Sequence, residues 1–197
     1  MTLLRLVRHG ETEWNTMGLI QGRRDIPLND QGRVQAADAA AKLAGLEYAA
    51  VVASPLVRAS ETARIIADEL LIDAVELDED LMEQAWGAAE GVEWSDLDDA
   101  FPDGQIKGRE RTGQLVERAE RAMDRIARAY AGRNIIVVTH GGLINAVNHR
   151  AAAADLSDVR GSAGNGSISD VDVHPDSSGG APSITYATVS VVESALG

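Results

Sequence analysis

Short apolar runs alternate with amphipathic helical stripes along most of this chain, and that alternation leaves few ways to fold it. Leu3 to Val7, Ala50 to Ala53 and the Ile-Ile-Val-Val within Asn134 to Thr139 are short, mainly apolar runs of strand length, the pattern of strands buried in a sheet. Each is followed by a helical pattern. Asn29-Asp30 offers a cap for a helix from about Gln31 to Ala44, which Gly45 would stop. Ser54-Pro55 reads as a helix start, with Ser at the N-cap and Pro at the first helical position; Ala59, Ala63, Ile66 and Leu70 then line one face. A long helix carries the stripe Leu115, Ala119, Ala122, Met123, Ile126 and Tyr130, with Glu117/Arg121 and Asp124/Arg128 as outward pairs. His140-Gly141-Gly142 opens a last helix to about Ala153. A short strand is expected at Ala74 to Leu77, and two late strands near Ser167 to Val173 and Ser183 to Val192 are close enough to form a hairpin. The prediction is an α/β fold: a three-layer sandwich whose mixed, mostly parallel sheet carries helices on both faces.

With 197 residues the chain is expected to be a single domain, 1–197. A domain of that size buries enough surface to fold without a disulfide or metal staple. The absence of cysteine excludes disulfides, cysteine-ligated zinc, iron–sulfur clusters and a thiol nucleophile. The net charge of -13 argues against nucleic acid as a partner. That charge is unevenly spread: residues 65–106 hold 14 acids and no Lys or Arg, leaving the remainder at +1. The acidic, irregular stretch of about 78–111, with a short helix near Trp94 to Ala100, is expected to form a cap-like insertion. No apolar run reaches membrane-spanning length, and Met1-Thr2-Leu3-Leu4-Arg5 lacks the pattern of a secretory signal, so the expected location is the cytoplasm. The sequence leaves the oligomeric state unknown.

Two histidines hold matching positions. His9 follows the strand Leu3–Val7 and His140 follows Asn134–Thr139; ligands of open α/β sheets bind at the carboxyl ends of the strands, so both rings can enter one site. A glycine follows each, allowing backbone to approach a ligand closely. Taken alone, either histidine reads equally as a hydrogen-bonded loop residue. Arg8 adjoins His9, and Arg58 falls in the first turn of the Ser54-Pro55 helix, where free N–H groups and a forked donor favour an anion. Glu83 stands among apolar neighbours from Leu81 to Gly91 that would raise its pKa into the range of a proton donor; by spacing alone it is one more acid in an acidic segment. Together these parts suggest phosphoryl transfer. A neutral imidazole is a competent nucleophile, two arginines and a second histidine can neutralise the equatorial oxygens, and a carboxylic acid can protonate the leaving oxygen. No cofactor and no metal are required.

At this point Arg8-His9-Gly10-Glu11-Thr12-Glu13-Trp14-Asn15 resembles the signature of the histidine phosphatases, the phosphoglycerate-mutase-like superfamily. The similarity continues through Gln21-Gly22, Pro27-Leu28 and Gly32. Ser54 to Ala63 resembles the second motif, Leu81 to Gly91 the segment bearing the catalytic acid, and Val138-Thr139-His140-Gly141-Gly142 the last motif. Arg-His-Gly alone is weak evidence; four blocks in order are strong. The resemblance implies that His9 is the nucleophile and forms a phosphohistidine. Arg8, Arg58 and His140 would form the phosphate pocket, Glu83 would be the proton donor, and Asn15, Gln21, Gly22 and the Gly141 N–H would line the pocket. Departures fall at Ala85 and Ala88-Ala89, beside the acid, and at Gly108-Arg109-Glu110-Arg111-Thr112, one residue longer than the usual Gly-Glu-Ser turn.

Mutases of this family are usually longer, with a larger basic insertion after the acid. Here Val92 to Lys107 is short and mainly acidic, which disfavours a bisphosphorylated ligand. The expected activity is therefore hydrolysis of a small phosphorylated metabolite, a phosphomonoester. Phosphoglycerate mutase is the alternative, with Arg23, Arg24 and Arg109 as a second anion site if they are more than a solvated loop. A non-catalytic phospho-ligand-binding protein is a third reading.

Overall fold

The computed structural model describes residues 2–151 and 164–173. In chain order the elements are β1 (Thr2–Arg8), α1 (Glu13–Thr16), α2 (Asp30–Leu43), β2 (Ala50–Ala53), α3 (Val57–Leu70), β3 (Val75–Leu77), α4 (Leu97–Ala100), α5 (Thr112–Ala129), β4 (Asn134–Thr139), α6 (Gly141–Ala151) and β5 (Ile168–Val173). The sheet order is β3-β2-β4-β1-β5. The first four strands run parallel, and β5 pairs antiparallel with β1. The sheet is thus mixed and mostly parallel, as expected. The second late strand and the hairpin fall on residues 183–192, outside the described residues.

Strand alternation sorts the core into two layers. Leu4, Leu6, Ala50, Val52, Ile135 and Val137 face α5 and α6; Val7, Val51, Ala53, Ile136 and Val138 face α2 and α3. Helices on both faces complete the three-layer sandwich. The apolar stripe of α5 is buried from Leu115 to Ile126. Of the two charge pairs expected on its outside, Asp124–Arg128 forms at 2.8 Å. Arg121 instead leans toward Asp80, at 3.9 Å, because the acidic segment packs along this helix.

Two helix starts differ in kind. Asn29 caps α2 as expected, its side chain accepting the Gly32 N–H at 2.8 Å. Ser54, by contrast, is not the cap of α3: the helix begins at Val57 after an extended Leu56. The Val57 N–H is taken by Asp25 of a distant loop, at 2.6 Å. Ser54 is thereby free for another partner.

Residues 78–111 wind through 3-10 turns at Glu79–Leu81, Gly87–Ala89 and Trp94–Asp96, then α4. Trp86, Ala89 and Leu97 bury against Ile20. Ile20 N–H donates to the Val92 carbonyl at 2.9 Å, and Gly91 N–H donates to the Ile20 carbonyl at 2.8 Å.

Candidate active site

Because β1 and β4 are parallel neighbours in register from Leu3↔Asn134 to Arg8↔Thr139, the residues that follow them emerge side by side. His9 N–H donates to the Thr139 carbonyl at 3.0 Å, one step beyond the ladder. The His9 and His140 rings lie 5.1 Å apart at 60°, and both are buried.

A hydrogen bond sets the tautomer of His9. His9 Nδ1 lies 2.7 Å from the Gly10 carbonyl. A carbonyl only accepts, so Nδ1 carries the proton and Nε2 keeps its lone pair. Arg58 Nε approaches that nitrogen at 3.2 Å. The Arg58 guanidinium, wholly buried, is held from behind by the Arg24 carbonyl at 2.7 Å and the Gly22 carbonyl at 2.9 Å. His140 Nε2 lies 2.8 Å from Ser54 Oγ. Ser54 Oγ already accepts the Leu56 N–H at 3.3 Å, so its hydroxyl proton is available to His140 Nε2. A proton given by Ser54 to Nε2 would leave the ring's own proton on His140 Nδ1, a buried atom with no acceptor among the described residues.

Electrostatics keep these rings neutral. Burial first, then the charges of Arg58 and Arg8, hold His9 well below the ordinary histidine range, outweighing its bond to Gly10. Burial, Arg58, His9, Arg8 and Arg118 do the same to His140. Burial pulls Arg58 down to about 10, with Glu83 and Asp25 opposing. It also lowers Arg8, again opposed by Glu83. At neutral pH the cluster is therefore two cations and two neutral imidazoles, a ready counter-charge for a dianionic group.

Glu83 is brought to this cluster, although its surroundings differ from the apolar ones expected. Its carboxylate accepts the Gln84 N–H at 2.8 Å and the Gly142 N–H at 3.2 Å. It thus rests on the first turn of α6, just beyond His140.

The expected pocket lining is partly engaged within the protein. Asn15 closes a capping box on α1, its Oδ1 accepting Thr12 N–H at 3.1 Å. Gln21 Oε1 accepts the Thr12 hydroxyl at 3.0 Å. Gly22 turns its carbonyl to Arg58. Gly141 opens α6, its α-carbon facing the Arg8 guanidinium. The glycine after His9 serves packing, since a Cβ on Gly10 would stand 2.2 Å from the Gly32 carbonyl of α2. Arg23 pairs with Glu110 at 3.5 Å, Arg24 with Glu90 at 3.6 Å, and Arg109 stacks 4.0 Å over Trp86.

The contacts of four residues are not legible in the sequence. Ser54 reads from sequence as a helix cap. Asn165, whose side-chain N–H donates to the His9 carbonyl at 3.1 Å, lies far away in the chain. Glu110 and Arg118 hold the Glu83 segment; the only sequence signal for Arg118 is a charge inside the apolar stripe of α5. The His149 side chain and His174 lie outside the described residues. Among the described residues, no three His, Cys, Asp or Glu side chains gather as a metal site, and no helix is long and apolar enough to cross a membrane.

Comparison with known proteins agrees with this geometry. A family model described as the histidine phosphatase superfamily (branch 1) matches residues 4–179. The chain is 36% identical over 147 residues to the uncharacterized phosphatase PhoE of Bacillus subtilis, covering 75% of this chain and 76% of that one. It is 35% identical over 167 residues to a metal-independent phosphoserine phosphatase of Arabidopsis thaliana, covering 78% and 70%. Bacillus stearothermophilus YhfR superposes with a TM-score of 0.84 at 27% identity, covering 98% of this chain and 96% of that one. A mutant phosphoserine phosphatase of Entamoeba histolytica in complex with phosphoserine gives 0.77 at 27% identity, covering 94% and 95%. With the motifs, the sheet and the match all in one frame, the chain belongs to the histidine phosphatase superfamily.

Proposed function

We propose that this chain is a metal-independent phosphatase that hydrolyses a small phosphomonoester through a phosphohistidine on His9. The observation that carries the reading is the His9 imidazole: Nδ1 is tied to a carbonyl, Nε2 bears the lone pair, and Arg58 stands 3.2 Å from it. Nε2 attacks phosphorus as the P–O bond to the leaving group breaks. Arg8, Arg58 and the Nδ1–H of His140 take the charge on the equatorial oxygens. Glu83, in its acid form, gives its proton to the leaving oxygen. Water then attacks the phosphohistidine, Glu83 takes the water's proton, and inorganic phosphate leaves with His9 restored. The names of relatives support this class, two of them being phosphoserine phosphatases.

Hydrolysis is favoured over mutase chemistry because Arg23 and Arg24, the proposed second anion site, each face a carboxylate. The acids Asp96, Asp98 and Asp99 of the cap are exposed. On this reading residues 78–111 are a cap on a single domain, one that admits water and repels a second phosphate.

The test is p-nitrophenyl phosphate hydrolysis with a quench for acid-labile phosphoprotein. Wild-type protein should show both turnover and the labile phosphate, and His9→Ala should show neither. Full activity in His9→Ala sinks the mechanism. Mutase turnover exceeding hydrolysis by orders of magnitude, on a substrate panel that includes phosphoglycerate, sinks the choice of activity.

A further inference from the structure

Arg118 is a guanidinium set inside the apolar stripe of α5 and 6% exposed. A buried charge of this kind is costly unless every donor is matched, and here each of the five N–H groups has an acceptor. Nε donates to Glu110 Oε1 at 2.8 Å. Nη1 donates to the Asp80 carbonyl at 2.7 Å and the Met82 carbonyl at 2.6 Å. Nη2 donates to the Glu83 carbonyl at 3.1 Å and to Glu110 Oε2 at 2.9 Å. Burial alone would raise the Glu110 carboxyl, but Arg118, with the Ala85 N–H and Arg23, outweighs it and holds that group below its ordinary value.

The Met82 and Glu83 carbonyls belong to the two peptide planes that flank the Glu83 α-carbon. One guanidinium therefore fixes both planes, and with them the direction in which the Glu83 side chain leaves the backbone. Glu110 fixes the next two residues. Its backbone carbonyl accepts Gln84 Nε2 at 2.8 Å, its Oε2 accepts the Ala85 N–H at 3.3 Å, and its N–H donates to the Ala85 carbonyl at 2.8 Å. No strand or long helix supports this segment; the Glu83 carbonyl also accepts Arg23 Nε at 3.3 Å from the exposed side, but Arg118 is the guanidinium that reaches the carbonyls on both sides of the Glu83 α-carbon.

We infer that Arg118 and Glu110 are positioning residues that aim Glu83 at the leaving-group oxygen. The inference rests on the reading of Glu83 as proton donor. A proton donor matters most when the leaving group is a poor one. An alkoxide needs the proton, whereas p-nitrophenolate departs without it. Loss of aim should therefore appear as a dependence on leaving group, which general damage to the fold would not produce.

The experiment compares p-nitrophenyl phosphate with an alkyl ester, glycerol 2-phosphate, in Arg118→Lys and in the double variant Arg118→Met/Glu110→Gln. The double variant leaves no orphaned buried charge, so it guards against a simple folding failure. Both should lose about 30-fold or more in kcat/KM on the alkyl ester, within the range of general acid catalysis, and about threefold or less on the aryl ester. In a Glu83→Gln background, Arg118→Lys should add less than about twofold on the alkyl ester, because the residues act as one unit. Equal losses on both esters, or a full multiplicative loss in the Glu83→Gln background, overturn the inference while leaving Glu83 in its role. If Glu83→Gln itself shows no leaving-group dependence, the proton-donor reading fails and the inference falls with it.

Discussion

At the scale of single residues, the site is decided by where protons sit. A histidine with both nitrogens open to water switches tautomer freely; here the Gly10 carbonyl fixes the His9 ring, and the Ser54 hydroxyl is the group beside His140 Nε2. Ser54→Ala should release His140 to the tautomer that presents a lone pair to the phosphate. The expected cost is about tenfold in kcat/KM with stability little changed, accompanied by a changed imidazole nitrogen shift. An unaltered nitrogen spectrum would show that Ser54 does not set the tautomer. Some of this was legible in the chain itself. His9, His140, Arg8, Arg58 and Glu83 announce themselves through position after a strand or within a motif. Ser54 and Asn165 do not, because their roles come from partners distant in sequence. Arg118 was hidden by a sound rule: a helix stripe is read for apolar residues, and a buried arginine shows its purpose only when the carbonyls it collects are in place.

At the scale of elements, the strands among the described residues follow from periodicity to within about a residue, whereas helix starts do so only when their caps are local. Asn29 caps α2 from the adjacent position and was readable. Asp25 caps α3 from another loop, and no spacing rule reaches it. The contact between the loop after β1 and the first turn of α2 is of the same long-range kind. A Cβ on Gly10 would lie 2.2 Å from the Gly32 carbonyl, and one on Gly32 would lie 2.1 Å from the Glu11 carbonyl. Both obstacles are backbone and cannot swing aside. Gly10→Ala should therefore cost about 1–3 kcal/mol of stability, as overpacking does, and should lower turnover by shifting His9. Urea denaturation and kcat together check this; a variant with wild-type values for both would mean that α2 can retreat without penalty.

At the scale of the whole molecule, burying two imidazoles beside two arginines links folding to pH. The folded pKa values of His9 and His140 lie well below their free value of about 6.5. Between those values the unfolded chain binds more protons than the folded one. The stability that comes from keeping the rings neutral is fully present above about pH 6.5 and is lost as pH falls through the folded values. The urea midpoint should thus decline from about pH 7 to about pH 5, and His140→Asn should remove part of that slope; an identical slope in the variant would exclude His140 as a source. The negative charge of the chain contributes to both profiles and cancels in the comparison. The same central pairing that buries these rings, β1 against β4, also governs when a working centre can exist. During synthesis β1 leaves the ribosome ahead of every helix and strand that separates it from β4, so a growing chain carries its proposed nucleophile long before it carries His140. Long-range strand pairing of this kind is slow and late. A half-made chain therefore presents an unpaired, solvated His9, and assembly itself acts as the timer on the chemistry.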